Sequence, residues 1–185
     1  MTLSKTPSQI TVRPVTSEQY EKIKRTVYDI INVAFKSDDS WTTDRAFVSI
    51  DRIPTAGEAE FDARCKEPNV LLCAFDEQDQ IVGVIHIQVQ GSEALLNCLG
   101  VSPSHQSRGV GSLLIRESVK HIQANMPTIK EAVVHVFVAR PELTTWYVRM
   151  GFKDVGEVIP FPYGDILIVD EAPLVILRYD VRKSL

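Results

Sequence analysis

Several features that would indicate a membrane, secreted or nucleic-acid-binding protein are missing from this sequence. Its 185 residues include 20 lysines and arginines against 24 aspartates and glutamates, a formal net charge of -4. Because binding along nucleic acid requires a basic face, this balance argues against a nucleic-acid partner. No stretch approaches the ~20 apolar residues that cross a bilayer, and residues 1–14 lack an apolar run of signal-peptide length. We therefore expect no membrane partner and a cytoplasmic location.

Cysteine is also scarce, with only Cys65, Cys73 and Cys98 in the chain. Their odd number and their lack of close pairing do not match a zinc site. Cys73 and Cys98 lie in apolar runs, where a free cysteine behaves as a small hydrophobic residue. The sequence therefore predicts no metal site, and we interpret the cysteines as structural residues in a reducing compartment.

The residues that are present describe an ordinary globular domain, with 44% hydrophobic and 24% charged residues. Since no repeat, low-complexity tract or linker interrupts the chain, we predict one domain over 1–185, with 1–8 as a loose tail. Thr16 and Gln19 match a capping box that starts a helix. Short β-branched runs such as Ala132 to Val138 predict buried strands. Strands alternating with helices predict an α/β fold, with a mixed sheet and helices on both faces.

The most informative stretch, Gln106–Ser112, lies between a predicted strand and a predicted helix. The first turn of a helix has N–H groups without internal partners and carries about half a positive charge. A pyrophosphate placed there binds several amides at once, and the missing Cβ atoms of Gly109 and Gly111 permit its close approach. Arg108 adds a positive charge and Ser112 a hydroxyl. The alternative is that the two glycines only form a tight connection between strand and helix.

Two other phosphate-binding patterns fit this stretch poorly. A dinucleotide-binding fingerprint requires a third glycine, and Leu114 occupies that position. A P-loop requires Gly-Lys followed by Ser or Thr, and there is no lysine here.

At this turn the sequence resembles the GNAT superfamily of N-acetyltransferases. That family's phosphate-binding pattern is Gln or Arg, two residues, Gly, one residue, and Gly or Ala, which is matched by Gln106, Gly109 and Gly111. Downstream, Trp146–Phe152 is similar to a second family signature, in which Gly-Phe follows a tyrosine by four residues. Tyr147 lies 147 − 109 = 38 residues after Gly109, a separation that also fits the family. The resemblance covers about residues 70–180.

The resemblance implies a sheet of about six to seven strands, splayed between the fourth and fifth strands to leave a V-shaped cleft. Acetyl-coenzyme A would be the co-substrate, with its pantetheine arm along Leu99 and Val101 and its pyrophosphate on the amides of residues 108–112. The implied coenzyme-binding residues are Leu99, Val101, Gln106, Ser107, Arg108, Gly109, Val110, Gly111 and Ser112.

The implied reaction is direct attack of a primary amine, on a small molecule or a peptide, in a ternary complex. The amine has an ordinary pKa near ~10 and must first lose a proton. A backbone N–H near Leu99 would polarise the thioester carbonyl. Tyr147 would protonate the departing thiolate; the alternative, given its apolar neighbours Trp146, Met150 and Phe152, is that it only packs in the core.

The general base is left open, because Leu95 stands where many family members have a glutamate. Glu93 and His86 are alternatives to deprotonation through water. His135, between two valines, is interpreted as a core histidine. Arg140 replaces a frequent family asparagine that contacts the coenzyme arm; since arginine accepts no hydrogen bonds, it would meet a phosphate, an acidic acceptor or solvent.

The acceptor pocket is expected to use residues 37–57 and 156–165, where Phe161 and Tyr163 form either an aromatic wall or a surface loop. A monomer and a homodimer are both compatible with the sequence. Two rival functions also remain: a sensor that binds acyl-coenzyme A without turnover, and a scaffold whose glycine turn is only structural.

Overall fold

A computed structural model of the chain describes residues 9–38 and 40–182, so the predicted tail at 1–8 lies outside the described residues. The strands are β1 (Thr11–Pro14), β2 (Val70–Phe75), β3 (Ile81–Gln90), β4 (Glu93–Val101), β5 (Glu131–Phe137), β6 (Lys153–Ile159) and β7 (Leu174–Asp180). The α-helices are α1 (Ser17–Lys36), α2 (Glu58–Arg64), α3 (Val110–Asn125) and α4 (Pro141–Arg149). None of the helices in these ranges is long and apolar enough to cross a membrane.

The strands form one seven-stranded mixed sheet in the order β1-β2-β3-β4-β5-β7-β6. All neighbours are antiparallel except β4 and β5, which run parallel and pair only from Glu93 opposite Glu131 to Leu95 opposite Val133. Both strands continue well beyond this point without pairing to each other. The predicted splay between the fourth and fifth strands is therefore confirmed.

Helices cover both faces of the sheet, as predicted. α1 and α2 pack on one face around a buried cluster that includes Tyr20, Val27, Ile31, Phe61, Leu71, Cys73, Val84 and Cys98. α3 and α4 pack on the other face around Leu72, Ile85, Leu114, Ile122, Ala132, Val134, Tyr147 and Phe152. Neighbouring residues such as Leu71 and Leu72 enter opposite clusters because successive side chains of a strand point to opposite faces.

Local signals in the sequence determine where two of the helices begin and end. The Thr16 hydroxyl accepts from the Gln19 N–H at 3.2 Å, and the Thr16 N–H donates to Gln19 Oε1 at 2.9 Å, which completes the predicted capping box of α1. Pro141 occupies the first turn of α4, and Gly151 follows its end with φ +98°.

One irregularity of β4 was not predicted. Val84 of β3 pairs with Gly100 and His86 pairs with Asn97, so β4 has one more residue than β3 between these two pairs. The extra residue forms a β-bulge in which Cys98 adopts φ +51°. A bulge interrupts the alternation of side chains between the two faces of a strand and bends the strand. The bulge lies in the part of β4 that no longer pairs with β5.

Candidate active site

The turn between β4 and α3 is formed by backbone conformation rather than by capping side chains. A single 3-10 turn spans Pro103–His105, Ser107 and Gly109 then adopt φ of 59° and 81°, and α3 begins at Val110. Glycine adopts this left-handed conformation at little steric cost. Within the described ranges no side chain caps this helix. The N–H groups of its first turn, together with the helix dipole, are therefore available to an anion.

This helix start lies in a cleft of about 240 Å³. The lining residues are Ser40, Trp41, Thr42, Leu99, Val101, His105, Gln106, Ser107, Gly109, Val110, Gly111, Ser112 and Trp146. They come from the splayed end of β4, the turn before α3, α4, and the connection between α1 and α2. Eight of the nine residues predicted to bind the coenzyme line this cleft, and Arg108, which is exposed, does not.

Comparison of the sequence with models of protein families gives a result that agrees with the fold and the cleft. The family model of the acetyltransferase (GNAT) domain matches residues 48–161, which is more than half of the chain. The chain belongs to the GNAT acetyltransferase family. GNAT acetyltransferases use acetyl-coenzyme A as co-substrate and acetylate an amine. No curated protein matches this chain in sequence.

Solved GNAT structures resemble the chain in fold. The spermidine/spermine N-acetyltransferase SpeG from Vibrio cholerae is 13% identical with a TM-score of 0.67, and the alignment covers 95% of this chain and 94% of that chain. The ribosomal-protein-S18-alanine N-acetyltransferase from Escherichia coli is also 13% identical with a TM-score of 0.66, covering 96% and 97% of the two chains. At such identities the likeness extends to the fold alone.

Tyr147 lies beside the GNAT cleft and is not among its lining residues. Its ring packs edge-on against Trp146, with centroids 4.7 Å apart, and against Phe152 at 5.5 Å. Burial raises the pKa of the Tyr147 phenol, so the group stays protonated at neutral pH. The core-packing role is thus observed, and the role as acid stays a prediction.

The structure places neither side chain considered as a general base in the cleft. The carboxylate of Glu93 pairs with Arg178 at 2.6 Å, at the end of β4 where the sheet is still closed. His86 is only 1% exposed, and its ring nitrogens each lie 3.0 Å from a partner, the Arg64 carbonyl and the Asn97 side-chain amide. Burial lowers the pKa of His86, which keeps it neutral and structural.

His135 was interpreted as a core histidine, and this interpretation is wrong. Its side chain is exposed on β5, while the flanking Val134 and Val136 are buried. The apolar neighbours misled the interpretation because alternate residues of a strand face opposite sides of the sheet.

Arg140 does not face solvent. Its guanidinium donates to the carbonyl oxygens of Thr43 at 2.5 Å and Trp41 at 2.8 Å, and it also pairs with Glu142. Contact with a coenzyme phosphate or an acidic acceptor stays a prediction. The bonds to two carbonyls were not predicted, since they join residues almost a hundred positions apart.

Sequence reasoning missed five lining residues of the cleft: Ser40, Trp41, Thr42, His105 and Trp146. Trp146 belongs to the second family signature, so the sequence did contain a signal for it. Ser40, Trp41 and Thr42 belong to the segment 37–57 that was expected at the acceptor pocket, and nothing in its pattern indicated that they share a cleft with the turn before α3.

The two segments expected to form the acceptor pocket meet on the face of the sheet opposite α3. Ser49 N donates to the Ile166 carbonyl at 3.0 Å, and Phe47 stacks on Phe137 with ring centroids 4.6 Å apart. Phe161 lies 5.5 Å from Phe137, and Tyr163 lies 5.8 Å from Phe161. Phe161 and Tyr163 therefore belong to a longer row of rings that begins at Phe47 and passes through Phe137, the last residue of β5. Tyr163 is 53% exposed, so the row ends at the surface of the protein.

Proposed function

We propose that this GNAT protein transfers the acetyl group of acetyl-coenzyme A to a primary amine of a small molecule or peptide, by direct attack in a ternary complex. The observation that supports this most strongly is the start of α3, whose first-turn amides open without a side-chain cap into the cleft. A pyrophosphate carries the charge that such a helix start favours.

The unpaired part of β4 supports the path proposed for the pantetheine arm. Beyond Leu95, β4 has no partner on its β5 side in the described part of the chain. Backbone groups at such an edge can pair with an added extended segment. In the proposed complex the amide groups of the arm take this position, next to Leu99 and Val101.

In the proposed reaction, acetyl transfer takes place at the thioester that ends the pantetheine arm. The ammonium group first loses a proton through water, the free amine forms a C–N bond with the thioester carbon, and the nitrogen releases its second proton to water as the amide forms. A backbone N–H of the bulge near Leu99 stabilises the oxygen as it gains charge. When the C–S bond breaks, the electron pair remains on sulfur, and Tyr147 donates its proton to the thiolate. Tyr147 regains a proton from solvent.

A second function, coenzyme sensing without turnover, is favoured by one observation. No carboxylate is found among the described residues that line the cleft, so no obvious base faces the amine. Sensing and catalysis both require coenzyme binding and differ only in product formation.

The first test is thermal unfolding with and without coenzyme A. At a concentration of ~100 times its dissociation constant, the ligand adds about 2.7 kcal/mol of stability, which raises the melting temperature by roughly 5–10 °C. An unchanged melting temperature would contradict coenzyme binding and support the scaffold reading.

The second test is acetylation of a panel of amines by wild type, Tyr147→Phe and Tyr179→Phe. Tyr179 packs on Phe152, as Tyr147 does, and lies outside the cleft, so its variant controls for the loss of a phenol hydroxyl from the same aromatic cluster. We expect Tyr147→Phe to lose turnover by ~100-fold or more while its affinity for the coenzyme changes little, as for removal of a general acid. Coenzyme binding without any product would identify a sensor.

A further inference from the structure

The connection between α1 and α2 forms part of the cleft wall, although no family motif includes it. Ser40 is 5% exposed and Trp41 is 49% exposed, and both line the cleft together with Thr42. They share the cleft with Gly109 and the rest of the turn before α3. Any ligand on the helix start is therefore bordered by residues 40–42.

Arg140 holds this wall from the side of α4. The planar guanidinium presents several N–H donors in a fixed geometry, and two of them reach the carbonyls of Trp41 and Thr43. Its ion pair with Glu142 further fixes its orientation. The Arg140 side chain is only 16% exposed, so these bonds form largely out of water.

Gln106 holds the same wall from the opposite side. Its Nε2 donates to the Val101 carbonyl at 3.0 Å and lies 3.4 Å from Ser40 Oγ. Residues 40–43 are thus tied to the phosphate-binding motif through Gln106 and to the start of α4 through Arg140.

The fold of this segment does not depend on Arg140 alone. The Thr42 hydroxyl donates to the Ala34 carbonyl at 3.3 Å, and the Thr43 hydroxyl donates to the Phe35 carbonyl at 3.1 Å. These bonds attach the segment to the end of α1. Loss of Arg140 should therefore move the wall relative to the cleft without unfolding the domain.

We propose that residues 40–43 are a wall of the coenzyme site, covering the bound coenzyme with the Trp41 side chain, and that Arg140 is the positioning residue that holds them there. This inference rests on the proposed function, since it assumes that the cleft binds coenzyme A. Where the asparagine frequent in the family contacts the coenzyme arm directly, Arg140 would act on the coenzyme indirectly, through the backbone carbonyls of Trp41 and Thr43.

Tryptophan fluorescence tests the proposal, because the chain has only two tryptophans. In a Trp146→Phe background, Trp41 is the sole reporter. Titration with coenzyme A should change its emission, as the ligand covers a ring that is now half exposed. When Arg140→Ala is added to Trp146→Phe, we expect the dissociation constant for coenzyme A to be about tenfold higher than in Trp146→Phe alone. We also expect most of the Trp41 emission change to be lost.

Two further variants separate positioning from charge and folding. Arg140→Lys keeps the charge but cannot span two carbonyls with a planar fork, so we expect it to resemble Arg140→Ala; it also serves where the alanine variant fails to fold. Arg149→Ala, at the exposed end of the same helix, should behave as wild type.

The outcomes distinguish the inference from the proposed function. If coenzyme A binds to Trp146→Phe, and to Trp146→Phe carrying either Arg140 substitution, with the same affinity and the same Trp41 response, the inference is overturned and the proposed function stands. If wild type itself shows neither a melting shift nor an emission change with coenzyme A, the proposed function fails and the inference fails with it.

Discussion

Asp62 is one of the residues that join α2 to α1 on the face of the sheet opposite α3. Its carboxylate accepts hydrogen bonds from the hydroxyls of Tyr20, at 2.7 Å, and Tyr28, and from Lys24 Nζ at 3.2 Å. Burial opposes its ionisation, but the bonds from Tyr28, Tyr20 and Lys24 outweigh this and lower the pKa of Asp62. A carboxylate with a lowered pKa stabilises the fold only while it is charged.

Replacing Asp62 by Asn should therefore destabilise the protein in a pH-dependent manner. We expect a loss of about 2 kcal/mol at pH 7, because hydrogen bonds to a charged group are replaced by weaker neutral ones. The folded-state pKa lies below the unfolded one, so the stabilisation is complete above the unfolded pKa of about 4 and is lost as pH falls through the folded pKa. Urea unfolding of wild type and Asp62→Asn at several pH values from neutral to acid measures this loss of stabilisation.

Asp29→Asn is the control, since Asp29 lies on α1, the helix that carries Tyr20, Lys24 and Tyr28, and its 57% exposed side chain pairs with Arg25 on that same helix. Its replacement should leave stability nearly unchanged at every pH. A loss for Asp62→Asn that does not shrink in acid would show that the carboxylate charge is not what stabilises this contact.

At the scale of elements, the sequence predicted those helix ends that depend on neighbouring residues. The capping box of α1 is such a local signal and is confirmed, and Pro141 and Gly151 at the two borders of α4 are signals of the same kind. The bulge at Cys98 could not be predicted, because it exists only in the register of β4 against β3. The wall formed by residues 40–43 was also missed, since its bonds to Arg140 depend on tertiary structure.

The end of α4 provides a sharp test of steric constraint. Gly151 has φ +98°, and a Cβ placed there would lie 2.9 Å from Cε2 of Tyr179. Gly151→Ala should therefore cost about 3 kcal/mol, the sum of left-handed strain and overpacking. Thermal or denaturant unfolding measures the loss.

A comparison with Gly156 separates the backbone strain from the clash with Tyr179. Gly156 has φ +77°, but an added Cβ would meet nothing within 4 Å. Gly156→Ala should cost only about 1 kcal/mol, from backbone strain alone. Equal losses at the two positions would refute the clash with Tyr179.

At the scale of the whole molecule, the two halves of the sheet are joined through a short parallel junction. β4 and β5 pair at only three positions. Arg178 of β7 reinforces this junction, because its guanidinium reaches Glu93 of β4 at 2.6 Å, Glu131 of β5 at 3.0 Å and Glu157 of β6 at 3.0 Å. The splay that opens the cleft thus starts where a single cation bridges three carboxylates on three other strands.

Arg178→Met should weaken this junction. The side chain is 19% exposed and its removal leaves three carboxylates facing one another, so we expect a loss of about 1 kcal/mol after allowing for partial solvent screening. Because the remaining repulsion is screened by salt, the difference from wild type should narrow in concentrated NaCl. Urea unfolding at two salt concentrations measures both effects.

Arg182→Met is the matched control, since Arg182 is 67% exposed and pairs with Asp180 on its own segment. It should lose less stability than Arg178→Met. If both variants lose the same amount, Arg178 does not join the strands in the way described.

The connection between α1 and α2 has its two halves fastened to different parts of the molecule. Residues 40–43 are fastened to Gln106 and Arg140, whereas Phe47 and Ser49 bond to Ile168 and Ile166 at 2.9 and 3.0 Å. In the proposed complex, substitutions near Phe47 would therefore change the acceptor pocket together with residues 166–168, while residues 40–43 would keep their bonds to Gln106 and Arg140 beside the coenzyme. Under that proposal, the choice of amine can be altered through one half of this connection while the other half continues to border the acyl donor.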